Sequence, residues 1–296
     1  MDVYSVITER IIENLEQGTV PWHKPWRSIG APRNLISKKS YRGINVWLLA
    51  AQGYTSPYWA TIRQINELGG SVRKGEMATP VVFWRIYIDG VEVKACEQEP
   101  EAHETEGKGK RRFVLRYYSG FNTEQCELPA PVTEKLALPE QRQLDPIGAC
   151  EKILAAMPNP PEIVHAGDKA FYSPITDRVT MPPQSLFESA EEYWCTLWHE
   201  ACGHATGHPK RLNRHSIKEA APFGSPVYSF EEAVAEMTAA YLCGITGIEN
   251  HTIGNSAAYI AGWLRKLRDD RKLIVHAATQ AQRACDYVLN RTSCSA

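Results

Sequence analysis

The sequence predicts a two-domain α+β protein, a small α/β domain joined to a mostly helical domain that keeps a small sheet. Three observations predict it. The chain has 296 residues, beyond the usual single-domain size. Its first half mixes short helices with β-prone runs, whereas long helical patterns dominate its second half. Between them, residues 122–145 hold Pro129, Pro131 and Pro139 and few large apolar side chains, the composition of a linker. The expected domains are residues 1–128 and 146–296, with a linker over 129–145.

Hydrophobic residues make up 43% of the chain and charged residues 23%, which excludes a disordered or fibrous protein. No apolar run approaches the roughly 18 residues of a membrane span, and no signal-peptide pattern opens the sequence. The eight cysteines form no C-x-x-C pair, so they read as reduced thiols of a cytoplasmic protein. The net charge of -1 conceals an asymmetry. Residues 1–85 carry 11 Lys+Arg against 6 Asp+Glu, and the remainder is acidic. A basic segment joined to an acidic one suggests a module for a polyanion.

Each element follows from local signals. An amphipathic helix over residues 4–17 is stopped by Gly18. A loop rich in Pro, Gly and Trp leads to a helix over 41–52, broken at Gly53. Thr61 caps a helix over 62–68 that Gly69-Gly70 stops. Strands over 80–88 and 91–96 flank the hairpin signal Asp89-Gly90. Residues 97–112, acidic and then Gly/Lys-rich, read as a mobile loop before a strand over 113–121. The second half begins with a helix over 146–157 and a strand over 162–165. A short hairpin over 171–181 comes next, then helices over 189–206 and 230–243, and one or two more over 256–289.

The strongest chemical signal is His199-Glu200-Ala201-Cys202-Gly203-His204. Zinc hydrolases use H-E-x-x-H, which sets two histidines on one helix face and a glutamate beside the first. Here the second histidine comes one residue late. On a regular helix it would stand about 140° round from the first. Gly203 is the extra residue, and a π-bulge there would restore the alignment. A later helix supplies Glu231-Glu232-Ala233-Val234-Ala235-Glu236. Glu232 and Glu236 share a face, so one can bind a metal while the other accepts a hydrogen bond from a ligating histidine.

The pair H-E-x-x-G-H and E-E-x-x-A-E resembles the active site of the dipeptidyl peptidase III family of zinc peptidases, which carries the same insertion. The resemblance implies His199, His204 and Glu232 as ligands of Zn²⁺, with Glu200 as general base and Glu236 behind the ligands. Mn²⁺ or Co²⁺ would suit the same donors. Such a site activates a water for attack on a peptide carbonyl. The hairpin over 171–181 lies where zinc peptidases place an edge strand that pairs with an extended substrate. Tyr172 and His208 are the candidates for the substrate side.

Residues 1–85 also hold five of the eight tryptophans. Trp22 and Trp26 alternate with Lys24 and Arg27, and Lys38, Lys39 and Arg42 follow. Single-stranded nucleic acid needs this combination, because bases stack on rings while cations follow the phosphates. No helix-turn-helix or zinc-finger spacing suggests a duplex reader.

Further motifs widen the likeness. They are Pro21-Trp22-His23-Lys24-Pro25-Trp26, Tyr41-Arg42-Gly43-Ile44-Asn45, Lys74-Gly75-Glu76 and Gly207-His208-Pro209 with Arg211-Leu212-Asn213-Arg214. With them the whole chain resembles the ArdC antirestriction family of conjugative plasmids. The resemblance implies an N-terminal domain that binds single-stranded DNA and a C-terminal zincin-like metallopeptidase domain. It implies protection of incoming plasmid DNA from host restriction. As an enzyme, a protein of this kind would use DNA binding to place the peptidase near a host protein, its expected substrate. Two other functions fit the same residues. One is a DNA- or partner-binding protein whose metal is structural, and the other is a DNA-activated, SprT-like protease.

Overall fold

The computed structural model describes residues 2–22, 30–96, 110–136, 145–218, 225–249 and 257–291. Helix α1 (Val3–Glu16) is capped by Asp2, whose carboxylate accepts from Ser5 N–H. It buries Ile7, Ile11, Ile12 and Leu15, one stripe at helical spacing. A two-residue strand β1 (Arg33–Asn34) precedes α2 (Ile44–Ala50). The helix expected from residue 41 starts three residues later, because Tyr41 N–H donates to Pro32 O and Gly43 turns the chain at φ 56°. Strand β2 (Tyr58–Thr61) runs into α3 (Ile62–Glu67), where Thr61 and Gln64 form a capping box. Strand β3 (Ser71–Val72) follows.

The Asp89-Gly90 turn joins β4 (Thr79–Ile88) to β5 (Val91–Cys96). Both turn residues have positive φ, 49° and 84°, as a two-residue hairpin requires. Strand β6 (Arg111–Asn122) returns beside β4, and β7 (Cys126–Glu127) pairs with β3. The stretch expected to be a mobile loop lies outside the described residues, apart from 110–112. The expected linker is helical where it is described, in α4 (Ala130–Thr133) and a 3-10 turn over Glu134–Leu136. Residues 137–144 lie outside the described ones. Five strands form one sheet in the order β1-β2-β6-β4-β5, antiparallel except for the β1–β2 pair.

Helix α5 (Pro146–Ala156) opens the second half with an Asp145 cap. Strands β8 (Glu162–His165), β9 (Phe171–Ser173) and β10 (Arg178–Met181) form a small sheet with β10 in the middle and β9 at an edge. Helix α6 (Ala190–Leu197) continues directly into a π-helix over Trp198–His204. After α7 (His215–Lys218) comes α8 (Pro226–Thr246), ended by Gly247 in the left-handed region at φ 82°. Helices α9 (Ala257–Asp269) and α10 (Leu273–Val288) complete the described chain. No described helix is long and apolar enough to cross a membrane. The architecture is the expected α+β pairing of a small α/β domain and a mostly helical one.

The two halves share one core. Val82, Trp84 and Leu115 form one face of the large sheet and join a cluster containing Ile7, Trp47, Tyr241 and Ile274. Thr8 Oγ1 donates to Arg271 O at 2.6 Å, and Tyr241 OH donates to Gly43 O at 2.7 Å. Arg42 forms an ion pair with Asp286 on α10. Asn45 completes the β4 edge that β5 leaves open. Its Nδ2 donates to Val82 O at 2.8 Å, and its Oδ1 accepts from Val82 N–H at 2.7 Å. An Asn45→Ala substitution strands two buried backbone groups. It is expected to cost about 2–4 kcal/mol, read by urea unfolding.

Candidate metal centre

The π-helix solves the spacing problem. Its i→i+5 bonding widens the turn, so His204 returns to the face of His199 despite the extra residue. The two Nε2 atoms lie 3.2 Å apart. Glu232, from the middle of α8, reaches both. One carboxylate oxygen lies 3.6 Å from His199 Nε2 and the other 3.6 Å from His204 Nε2. All three donor atoms fall within 4.8 Å of one another. Two ligands about 2.05 Å from a tetrahedral ion stand about 3.3 Å apart, so the histidine pair fits a divalent cation. The side chains of His199 and Glu232 are 21% and 24% exposed, which leaves the centre open to a substrate.

Gly203 lies in the expected π-turn and has a second role that the sequence did not show. Its backbone needs no positive φ. A Cβ on it would meet Ala235 Cα at 2.6 Å and Ala235 Cβ at 2.7 Å. The missing side chain therefore lets α8 lie directly against the π-helix. That close approach delivers Glu232, three residues before Ala235, to the histidines.

The charges are balanced inside the site. Burial would push His199 down, but the Glu232 hydrogen bond and the Glu200, Glu232 and Glu236 carboxylates hold it above its ordinary value. His204 is pushed down by burial and by His199. Burial would raise Glu232, yet the His199 hydrogen bond, both histidine charges and a Tyr228 hydrogen bond lower it to about 2. Glu200 is half-buried, and its charge acts on both histidines and on Tyr228. Tyr228 stands one helical turn before Glu232 and is pushed up to about 12 by burial and by Glu232. Its place four residues upstream on the same face was the signal that could have found it.

Two further contacts brace the centre from behind. Buried Glu231 pairs with Arg214, which also donates to Gly203 O at 2.6 Å and Thr206 Oγ1 at 2.9 Å. Ser216 Oγ donates to Glu231 at 2.5 Å. This buried ion pair is hydrogen-bonded on both sides, the condition under which one is tolerated. Glu236 accepts on a single oxygen, Oε2, from Tyr259 OH at 2.5 Å and from Trp22 Nε1 at 3.2 Å. It makes no hydrogen bond to His199 or His204 among the described residues, although its charge acts on His199. Sequence reasoning misses Tyr259, Arg214 and Glu231 in these roles, since their partners lie far along the chain.

Tyr172 and His208 converge on Asp177. Tyr172 OH donates to Asp177 Oδ1 at 3.0 Å, and His208 Nδ1 lies 3.8 Å from Asp177 Oδ2. Arg211, fully buried, pairs with the same carboxylate. The cluster ties the β9–β10 turn to the segment after the π-helix rather than joining the histidines and Glu232.

The residues expected to touch DNA divide. Trp22 is a correction, because its indole is fully buried against Trp263, 5.1 Å between ring centroids, and its N–H is spent on Glu236 and Tyr259. Arg42 is a second correction, because its guanidinium is engaged with Asp286. Lys38 and Lys39 are exposed, with Lys38 Nζ 4.5 Å over the Tyr58 ring. Lys24, Trp26 and Arg27 lie outside the described residues.

Two substitutions follow from this packing. Gly203→Ala is expected to push α8 away, costing about 1–3 kcal/mol and abolishing tight Mn²⁺ or Zn²⁺ binding in calorimetry. Trp22→Phe keeps an aromatic ring but removes a donor to a buried carboxylate. It is expected to cost about 1.5–3 kcal/mol in chemical unfolding.

Comparison with known proteins places this geometry. Residues 149–280 match a zincin-like metallopeptidase family, and residues 1–121 match the N-terminal domain of anti-restriction factor ArdC. The chain is 36% identical over 295 residues to the uncharacterised protein y4eC of Sinorhizobium fredii, covering 97% of this chain and 91% of that one. It is 35% and 36% identical to two DNA primases TraC of Escherichia coli, of which it spans only 20% and 26%. The metal-free crystal structure of the antirestriction ArdC protein from plasmid R388 matches with a TM-score of 0.70 at 35% identity, over 99% of this chain and 100% of that one. Its Mn(II)-bound structure matches with a TM-score of 0.70 at 36% identity, over 98% of each chain. Matched from end to end in sequence and in fold, this chain belongs to the ArdC antirestriction family.

Proposed function

We propose that this protein protects plasmid DNA entering a recipient cell, holding it as a single strand while a zinc peptidase centre cleaves a host protein. In this reading residues 1–128 carry the DNA, residues 146–296 carry the chemistry, and both work in the cytoplasm. The observation behind it is Glu200 beside a convergent set of two histidines and one glutamate. Structural zinc sites close the coordination shell with four protein donors, whereas catalytic ones keep three and leave a place for water. Three donors converge here among the described residues.

A divalent cation on these donors would supply Lewis acidity and lower the pKa of its water towards roughly 7. Glu200, the neighbour of His199 in the chain, accepts the proton of the attacking water and passes it to the leaving nitrogen. Strand β9, at the edge of the small sheet, offers its backbone to an extended peptide. The manganese-bound relative supports a divalent cation in this chain. Two imidazoles and a carboxylate suit zinc, and manganese or cobalt could replace it.

The test is plasmid transfer into restricting and non-restricting recipients with wild type and Glu200→Ala. The expected result is loss of protection by the variant in restricting cells alone, while calorimetry still records cation binding. Undiminished protection by a folded, cation-binding Glu200→Ala protein would remove peptide hydrolysis from the reading.

A further inference from the structure

Two residues of the loop expected to hold DNA, Trp22 and Arg42, are turned into the protein interior. A different surface has the required chemistry. Opposed residues of an antiparallel pair share a sheet face, so the register of β4 and β6 defines two faces. One face, with Val82, Trp84 and Leu115, is buried in the core. The other carries Phe83 opposite Arg116, Arg85 opposite Val114 and Tyr87 opposite Arg112.

Among the described residues this second face is closed at one end only, where Val81 and Tyr118 pack against Tyr41, Leu49 and Trp59. Beyond them, Phe83 and Tyr87 are half-buried, and Arg112 and Arg116 are exposed. Arg85 lies 5.5 Å from the Phe83 ring centroid, and Phe83 lies 5.8 Å from Tyr118. Among the described residues one carboxylate approaches this array, Glu92, which takes Arg85 at 2.8 Å and accepts from Tyr87 OH at 3.4 Å. Arg112 and Arg116 make no ion pair among the described residues. Three aromatic rings thus alternate with three guanidinium groups on one face of a sheet.

Resting on the reading of this protein as a single-strand binder, we propose that the Phe83, Tyr87, Arg112 and Arg116 face of β4 and β6 is where single-stranded DNA binds. The rings offer flat surfaces to unpaired bases, which a duplex keeps stacked inside. Arg112 and Arg116 offer charge and a planar fork to the phosphates. A sheet face has no protruding helix to enter a groove, so duplex DNA gains only the phosphate contacts.

The test is fluorescence anisotropy with a labelled oligothymidylate of about 16 nucleotides, titrated with full-length protein across a salt series. For the Arg112→Glu/Arg116→Glu double variant we expect affinity to fall at least about tenfold. The slope of log affinity against log salt should fall by about 0.7 for each phosphate that no longer meets an arginine. Phe83→Ala should weaken binding about tenfold with the slope unchanged. Arg116→Gln, a milder change at an exposed position, should give part of the charge effect with an unaltered melting temperature. Retained cation binding in calorimetry would separate these losses from unfolding. Wild-type affinity in all three variants, with a loss in Lys38→Glu/Lys39→Glu instead, would move the site to the loop and overturn this inference alone. An unbound oligonucleotide with the wild-type protein would overturn the single-strand reading and this site with it.

Discussion

The functional centre depends on one contact, the bare backbone of Gly203 lying against Ala235. Two helices meet there more closely than side chains ordinarily allow. Everything at the centre follows from that distance. Glu232 is one turn of α8 from Ala235 and so reaches both imidazoles. Glu231, its neighbour, turns to the other side and pairs with Arg214, which in turn holds the carbonyl of Gly203. The π-helix supplies the matching half of the geometry by widening one turn until His204 faces the same way as His199. Insertion, glycine and alanine form a single device, and each makes sense only with the other two.

The second organising feature is the shared core. The N-terminal helix, the Gly43 turn and Trp22 are all fastened to the helices of the second half. Trp22 reaches Glu236, one turn beyond Glu232. The N-terminal segment is therefore part of the wall behind the metal centre. This arrangement explains why Trp22 and Arg42 are turned from solvent. The Trp22 indole N–H meets the Glu236 carboxylate and the Arg42 guanidinium meets that of Asp286, and both carboxylates would otherwise be costly to hold in the interior. Family membership with the R388 ArdC protein fits a fold of this kind over nearly the whole chain.

Much of the fold was legible residue by residue. Thr61 and Asp89-Gly90 each announced an element boundary, because caps and turns depend on neighbours within a few positions. The metal-site motifs were legible for the same reason, since a histidine pair and a carboxylate pair have characteristic spacings. Less legible was the direction of a side chain. Trp22 and Trp26 look equivalent in a polar loop, yet Trp22 is fully buried, because Trp263 and Glu236 come to it from more than 200 residues away. Arg42 sits beside Lys38 and Lys39 in sequence but answers to Asp286.

The sequence by itself determined the α+β class, the places of the main helices and strands, and the residue types able to hold a divalent cation. These rest on local periodicity, caps and donor chemistry, which act over one or two turns of chain. Tertiary structure alone showed that Gly203, besides sitting in the π-turn, admits the close contact with Ala235 of α8. It also turned Trp22 and Arg42 inward and brought Phe83, Tyr87, Arg112 and Arg116 onto one sheet face. Burial and charge pairing are settled by groups distant in the chain, and no local pattern records which of them will meet.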